Sequence, residues 1–238
     1  MLRHMAMVVC MLSVTILWAD LTSGAERRRD PAMEPVEDVP GLPRVLLIGD
    51  SISIGYTIPT RRLLEGEANV HRPPTNCGPT TRGLEAIDSW LGSGRWDVIH
   101  FNWGLHDLKY IADDSGVLAD PKASNSRQQV PLDQYSANLE RLVERMKLTG
   151  ATLIWATTTP VPEGSAGRVP GDDEKYNAAA RAIMEKHGVA VNDLHAFSKP
   201  RLAEIQLPAN VHFTPAGYQA LANEVAAAIR KALAERKP

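Results

Sequence analysis

The segment "RVLLIGDSISIGY" (44–56) places a serine directly after an apolar run and a Gly-Asp pair. The apolar run predicts a buried strand, so Ser51 would stand just beyond the end of that strand. A serine hydroxyl becomes a nucleophile when a neighbouring base removes its proton. The same small polar residues also suit an ordinary turn. Whether Ser51 carries chemistry therefore depends on whether the chain supplies a base.

His212 is the strongest candidate for that base. It lies in "PANVHFTPAGY", immediately before the C-terminal helical segment. A side chain on such a loop can reach back over the edge of a sheet. Taken alone, a loop histidine is more often structural or merely exposed. Together with the Gly-Asp-Ser corner after the first strand, His212 favours a serine–histidine pair that performs nucleophilic catalysis.

The other chemically versatile side chains do not predict a metal site. His100, His106 and Asp107 are close in sequence, but His100 falls in the middle of a predicted strand and has no reason to converge with His106. The sequence contains neither zinc-finger Cys/His spacing nor a His-Glu-x-x-His motif. Cys77 has no basic residue within two positions, so we expect a passive thiol.

Apolar strands alternate with helical segments from Arg44 onward. The predicted strands are 45–48, 70–72, 97–101, 152–157 and 189–191, and the predicted helices include 134–147, 175–187 and 215–234. This alternation indicates βαβ units and a largely parallel sheet covered by helices on both faces. Ligands of such sheets bind beyond the carboxyl ends of the strands, where Ser51 and the segment 102–107 both lie. The long irregular loops 112–131 and 159–172 could border a site there.

The N-terminal residues 1–25 predict a signal peptide. Arg3 supplies the positive charge, residues 5–19 are apolar, and Ser23 and Ala25 are small residues suited to cleavage after Ala25. The apolar run is short for a membrane span. A retained membrane anchor is the alternative.

The rest of the chain predicts one domain. Residues 26–42 are charged and proline-rich, which is typical of a flexible linker, and residues 43–238 form the domain. The 238 residues, 44% of them hydrophobic, can bury a sizeable core, and the net charge of −2 argues against a nucleic-acid partner. We expect a secreted or periplasmic protein with no stable membrane association once the signal is removed.

Four segments of the chain together resemble the four blocks of the SGNH hydrolases, the GDSL-type esterases and lipases. They are "GDSIS" (49–53), "NCGPTTRGL" (76–84), "NWGLHD" (102–107) and "NVHFTPAGY" (210–218). Gly-Asp-Ser alone is a weak signal, but its position after the first strand and the late V-H-F-T-x-x-G-Y segment make the combination specific. The resemblance covers about residues 44–233. It implies a flavodoxin-like three-layer α/β/α fold with a sheet of about five strands, and ester hydrolysis without a cofactor.

The resemblance also implies roles for individual residues. Ser51 would attack the ester carbonyl, with His212 as general base and then general acid. The oxyanion hole would use the backbone N–H of Ser51, the N–H of a second-block glycine and a third-block asparagine. Gly78 is the expected glycine, and Gly83 is the alternative.

The third block departs from the family pattern, because His106 stands where the family has an asparagine. A neutral imidazole can also donate an N–H to an oxyanion, so His106 is one candidate donor. Asn102, two residues before Gly104, is the other. His106 could instead brace its loop. Trp103, at the same strand end, would either line the substrate site or pack in the core.

The fourth block lacks the acid of the usual triad. The family places an aspartate three residues before the histidine, and this chain has Ala209 there, followed by Asn210. Asn210 or a backbone carbonyl could hold the imidazole of His212 in the required tautomer. Asp50 is expected to order the turn beside the nucleophile.

The sequence therefore predicts an exported serine esterase that acts on small-molecule or polysaccharide esters, most plausibly removing acetyl groups from carbohydrates. Two alternatives remain open. One is an acyltransferase that uses the same chemistry. The other is a catalytically impaired carbohydrate-binding domain, which is motivated by Ala209 and His106.

Overall fold

A computed structural model describes residues 30–113 and 115–236 of the chain. The predicted signal peptide, 1–25, lies outside the described residues. Within them, the strands are β1 (Arg44–Ile48), β2 (Asn69–His71), β3 (Val98–Phe101), β4 (Tyr110–Ile111), β5 (Arg127–Gln128), β6 (Thr152–Ala156) and β7 (Ala190–Asn192). The α-helices are α1 (Ser51–Leu63), α2 (Thr80–Leu91), α3 (Leu132–Lys147), α4 (Asp172–His187), α5 (Leu194–Ser198), α6 (Leu202–Ile205) and α7 (Pro215–Glu235).

Five strands form a parallel sheet in the order β2-β1-β3-β6-β7. The helices α1 and α7 pack against each other, while α2, α3 and α4 form a second packed row. The central strands β1 and β3 are almost completely buried, as expected of strands covered on both faces. The predicted α/β/α architecture and parallel five-stranded sheet are therefore confirmed.

The predicted elements agree with the structure to within a few residues, but two parts differ. The strands β4 and β5 form a small antiparallel pair at the ends of the predicted irregular loop 112–131. Strands of two residues are too short for side-chain alternation to reveal them.

The described part of the predicted flexible linker, residues 30–42, is fastened to the domain. Ala32 is buried, Arg61 donates hydrogen bonds to the carbonyls of Pro31 and Glu34, and Asn69 pairs with the backbone of Val39 in both directions. These backbone contacts need no apolar periodicity, which explains why the sequence pattern indicated a free linker. As for membranes, no helix in residues 30–113 or 115–236 combines the length and apolarity needed to cross a bilayer.

Candidate active site

Ser51 lies at a tight junction between the first strand and the first helix. β1 ends at Ile48, and Ser51 is already the first residue of α1. Asp50 caps this helix, because its Oδ1 accepts a hydrogen bond of 2.9 Å from the backbone N–H of Ile52. The Asp50 carboxylate thus orders the turn, as the sequence analysis expects, and Ser51 is left half-buried at the carboxyl edge of the sheet.

Arg72 braces the same corner, and the sequence analysis missed it. Its guanidinium is only 7% exposed as a residue and donates to the hydroxyls of Ser53 and Thr57 and to the carbonyls of Gly49 and Thr75. It therefore ties the Ser51 corner to the loop that follows β2. Its position directly after β2 is the only signal for it in the sequence.

The loop that carries His212 is fixed by the helix that follows it. Thr214 caps α7 by accepting a hydrogen bond from the Gly217 N–H, and its own N–H donates to the Ile205 carbonyl. Helix α7 approaches α1 so closely that a Cβ on Gly55 would lie 2.2 Å from the ring of Tyr218. Since Ser51 begins α1 and His212 precedes α7, this close packing sets the distance between the two side chains.

The structure brings the predicted nucleophile and base together although they are 161 positions apart. Ser51 Oγ lies 2.8 Å from His212 Nε2. On the other side of the ring, His212 Nδ1 lies 2.8 Å from Asn210 Oδ1. The backbone N–H of His212 also donates to that oxygen, at 3.0 Å.

These contacts define the tautomer of His212. The side-chain atom of Asn210 that faces His212 accepts a hydrogen bond from the backbone N–H of His212. This atom must therefore be the amide oxygen, which can only accept hydrogen bonds. Nδ1 of His212 then carries the ring proton, and Nε2 has a free lone pair directed at the Ser51 hydroxyl. An imidazole in this state can take the proton of the serine.

No carboxylate forms a hydrogen bond with His212 within the described ranges. Ala209, at the position of the family's aspartate, adopts a left-handed backbone with φ of +51°. A Cβ on Gly164 would lie 3.0 Å from the Ala209 Cβ, so the Ala209 side chain faces that loop. Asn210 is thus the side chain that orients the imidazole in this structure.

The two backbone N–H groups predicted to form the oxyanion hole differ in whether they already donate a hydrogen bond. Ser51 is the first residue of α1, where a backbone N–H has no acceptor within the helix. The N–H of Gly78 instead donates to Asn76 Oδ1 at 2.9 Å, in a turn that gives Gly78 a φ of +61°. The alternative glycine, Gly83, lies inside α2 with its N–H bonded to the Pro79 carbonyl, and it packs on Trp103.

His106 is close enough to His212 and to Asp50 for their charges to act on its imidazole. Burial lowers the pKa of His106 to about 4; the charge of Asp50 opposes this shift, and the charges of Lys109, Arg168 and His212 add to it. Its imidazole is therefore neutral near pH 7 and carries one N–H that can be donated. The neighbouring Asp107 is fully buried and holds this loop to the start of α2, accepting from both the N–H and the hydroxyl of Thr80.

Two other predicted site residues, Asn102 and Trp103, have structural contacts instead. The side-chain nitrogen of Asn102 donates to the Ala156 carbonyl at 2.8 Å and to the Thr158 hydroxyl at 3.3 Å, so it joins the end of β3 to the end of β6. Trp103 is 1% exposed and lies in the core beside Phe101. The expectation that Trp103 lines the substrate site is wrong in this structure, because core packing against α2 buries its indole.

Two further features of the chain are the buried cysteine and one cluster of potential metal ligands. Cys77 is buried, and burial raises the pKa of its thiol to about 11, which keeps it protonated. One cluster could offer ligand atoms to a cation, formed by Glu140, Glu144 and His187. Glu140 already pairs with the ammonium of Lys186 there.

Comparisons with known proteins agree with this arrangement. Residues 47–220 match the model of the GDSL-like lipase/acylhydrolase family. The search of curated proteins finds no match. A lipase/acylhydrolase from Enterococcus faecalis has a similar structure, with a TM-score of 0.64 at 17% identity over 83% of this chain and 100% of that chain.

Two acetylxylan esterases also share the fold. The enzyme AlAXEase aligns with a TM-score of 0.61 at 14% identity over 78% of this chain and 99% of that one. A catalytic mutant of the Geobacillus stearothermophilus enzyme aligns with a TM-score of 0.58 at 16% identity over 80% of this chain and 94% of that one. Because the family model spans most of the sequence and includes both Ser51 and His212, this chain belongs to the GDSL-like lipase/acylhydrolase family.

Proposed function

We propose that this protein is a serine esterase in which Ser51 is the nucleophile and His212 the general base. One observation carries the proposal: the 2.8 Å contact between Ser51 Oγ and the unprotonated Nε2 of His212. The proton on Nδ1 is held by Asn210, so the ring is already in the state that catalysis needs.

In the first half of the reaction, Ser51 Oγ attacks the ester carbonyl while its proton passes to His212 Nε2. The negative charge that develops on the carbonyl oxygen would be stabilised by the N–H groups of Ser51 and His106. The Gly78 N–H could join them by exchanging its bond to Asn76 for one to the oxyanion. Collapse of the tetrahedral intermediate breaks the bond to the alcohol, which leaves with the proton from Nε2.

In the second half, water replaces the alcohol. His212 Nε2 removes a proton from the water as its oxygen attacks the acyl carbon of the acyl-enzyme. The bond to Ser51 Oγ then breaks, Oγ recovers its proton from Nε2, and the carboxylic acid is released. Each proton therefore returns to its starting atom, and no other reactant is needed.

We infer that the substrates are acetyl esters of carbohydrates. The cleft beside His212 offers an arginine, a serine and an asparagine side chain among apolar residues, and these polar groups could contact the hydroxyls of a sugar. Two proteins of similar fold are acetylxylan esterases, and the export signal that the apolar segment 5–19 predicts would bring the protein to extracellular polysaccharide. These points support the substrate class at the level of a proposal.

The test uses a fluorophosphonate probe, which labels activated serines, together with hydrolysis of p-nitrophenyl acetate. The wild-type protein should be labelled and should hydrolyse the ester. Ser51→Ala should abolish labelling and lower kcat by about 10³-fold or more. Ser115→Ala, which removes an exposed hydroxyl, is the matched control and should behave like the wild type.

A folded wild-type protein that neither reacts with the probe nor hydrolyses acetylated sugars would favour the binding-only alternative and end this proposal. Product analysis with a sugar acceptor separates hydrolysis from acyl transfer. If the acetyl group goes to the sugar in preference to water, the protein is a transferase that uses the same two residues.

A further inference from the structure

A cavity of about 200 Å³ lies beside His212. It is lined by residues 209–212, by the side chain of Leu118, and by Ser165, Ala166 and Arg168. These last three belong to the long loop after β6, which the sequence analysis marked as a possible border of the site. The cavity is therefore next to His212, the proposed general base.

Arg168 brings a positive charge to this cavity without an anionic partner. Its Nε and Nη2 donate to the Leu105 carbonyl at 3.2 and 3.0 Å, and its Nη1 donates to the Ala166 carbonyl at 3.3 Å. No carboxylate forms an ion pair with it in residues 30–113 or 115–236. Burial lowers the pKa of its guanidinium, and the charge of Asp50 offsets this only from a distance.

The charge of Arg168 also acts on a second cation, Lys109, which does not line the cavity. Lys109 is 8% exposed, and its Nζ donates to the Gly116 carbonyl at 3.1 Å. Burial lowers the pKa of this ammonium, and the charge of Arg168 lowers it further. Two partly desolvated cations that bond only to neutral carbonyls are costly to keep together, and an anionic ligand would relieve that cost.

Ser165 provides an independent indication of a ligand. The residue is 6% exposed and lines the cavity, yet its hydroxyl has no hydrogen-bond partner among the residues that the structure describes. Buried hydroxyls are nearly always paired in proteins, so the Ser165 hydroxyl is available to donate to a ligand at this cavity wall.

The position of the cavity says which part of an ester would enter it. His212 hands its proton to the departing alcohol, so the alcohol must lie against the imidazole. The cavity is lined by His212 itself and by Asn210 and Val211 next to it. The occupant is therefore attached to the alcohol side of the ester and not to the acyl side.

We propose that this cavity, which we call the Arg168 subsite, binds a carboxylate carried by the alcohol part of the substrate. The guanidinium of Arg168 would pair with the carboxylate, and the Ser165 hydroxyl would donate to it. The substrate class is then an acetylated acidic sugar or hydroxy acid. This inference rests on the proposed esterase function, since only that function assigns the alcohol to the side of His212.

The kinetic test compares two acetyl esters of the same shape, 4-acetoxybenzoate, which is anionic, and 4-acetoxybenzamide, which is neutral. The measured quantity is the ratio of their kcat/KM values, because the intrinsic reactivities of the two esters cancel when variants are compared. Arg168→Gln should lower this ratio by about tenfold relative to the wild type. Arg145→Gln removes an arginine from an exposed pair with Asp88 and should leave the ratio within about twofold.

Arg168→Lys separates charge from loop support, because Arg168 also holds the carbonyl of Leu105. Lysine keeps the charge and cannot keep the forked contact, so it should restore most of the preference for the anionic ester. Ser165→Ala should lower the ratio about threefold. A ratio that stays at the wild-type value in Arg168→Gln would overturn the subsite.

A binding measurement keeps the subsite testable without catalysis. Calorimetry on the Ser51→Ala protein compares the alcohols 4-hydroxybenzoate and 4-hydroxybenzamide, and the anion should bind about tenfold more tightly only while Arg168 is present. If that preference holds but the wild type hydrolyses neither ester, the proposed function fails, and the cavity remains an anion-binding site that is not assigned to the alcohol of an ester. If both esters are hydrolysed but Arg168→Gln changes neither ratio nor binding, only the subsite fails.

Discussion

Two histidines at the carboxyl edge of the sheet are held in opposite ways. His195 Nε2 lies 2.7 Å from Asp173 Oδ2, and its backbone N–H donates to the Thr157 hydroxyl just beyond β6. His212 has no carboxylate partner in the part of the chain that the structure describes; it faces a serine hydroxyl through Nε2 and an amide through Nδ1. One histidine has the acid that a triad would use, and the other has the nucleophile.

The difference shows what makes a histidine useful as a base. A carboxylate only accepts, so Nε2 of His195 must carry the proton that it donates to Asp173 and has no lone pair to offer there. Nε2 of His212 does have one, because the amide of Asn210 fixes the proton on Nδ1. A carboxylate neighbour therefore does not identify the base; a free nitrogen opposite a hydroxyl does.

Substituting each of the two histidines in turn should give the greatest difference in activity. His212→Gln should lower kcat for p-nitrophenyl acetate by about 10³-fold or more, because it removes the base that contacts the Ser51 hydroxyl. His195→Gln should change kcat by less than about twofold and instead lower the melting temperature by a few degrees, through the lost contact with Asp173. Steady-state kinetics and thermal unfolding of both variants measure this. Equal losses of activity would mean that His195 takes part in the reaction.

A second prediction concerns the neutral imidazole of His106. His106→Ala should lower kcat by about 10²-fold, the usual loss when one oxyanion donor is removed. His106→Asn, which supplies an amide N–H, should recover most of it. The burial that lowers the pKa of His106 to about 4 keeps the donor neutral above about pH 5. The pH profile between 5 and 8 should therefore be the same in wild type and His106→Asn, and a difference there would contradict this role.

The sequence could predict Ser51 and His212 because each lies next to an element that is easy to recognise. Ser51 follows a strongly apolar strand, and His212 precedes a helix with a threonine cap and a proline at its first position. Asn210 is only two positions from His212, so its role is a local one. The parallel sheet then brings the two elements to the same edge.

Other features have no local pattern that would reveal them. The N–H of Gly78 is occupied because Asn76 folds back on it, which depends on a left-handed φ at Gly78. Arg72 and Arg168 donate hydrogen bonds to backbone carbonyls of distant segments. Apart from the position of Arg72 directly after β2, nothing in the sequence distinguishes these two arginines from the others in the chain. Trp103 stands at a strand end, as a substrate contact would, and only the packing of α2 shows that it is buried.

A single substitution gives His212 a carboxylate partner, such as His195 has in Asp173. Asn210→Asp replaces an amide oxygen by a carboxylate oxygen of the same size beside Nδ1. A carboxylate favours the charged imidazolium, so the acid limb of the pH–rate profile should move to higher pH by about one unit. Because position 210 is exposed and its charge is screened by solvent, the rate on the alkaline plateau should rise only a few-fold.

Removing the amide of Asn210 tests how much the orientation of the His212 imidazole contributes to the rate. Asn210→Ala should lower kcat about tenfold without moving the acid limb, since the loss of one hydrogen bond frees the ring to rotate but adds no charge. The profiles of kcat against pH for the three proteins form one data set. If Asn210→Ala matches the wild type, the Ser51–His212 contact is maintained by α1 and α7 packing alone, and Asn210 has no positioning role. If Asn210→Asp leaves the acid limb in place, the side chain at 210 does not contact the catalytic imidazole in solution.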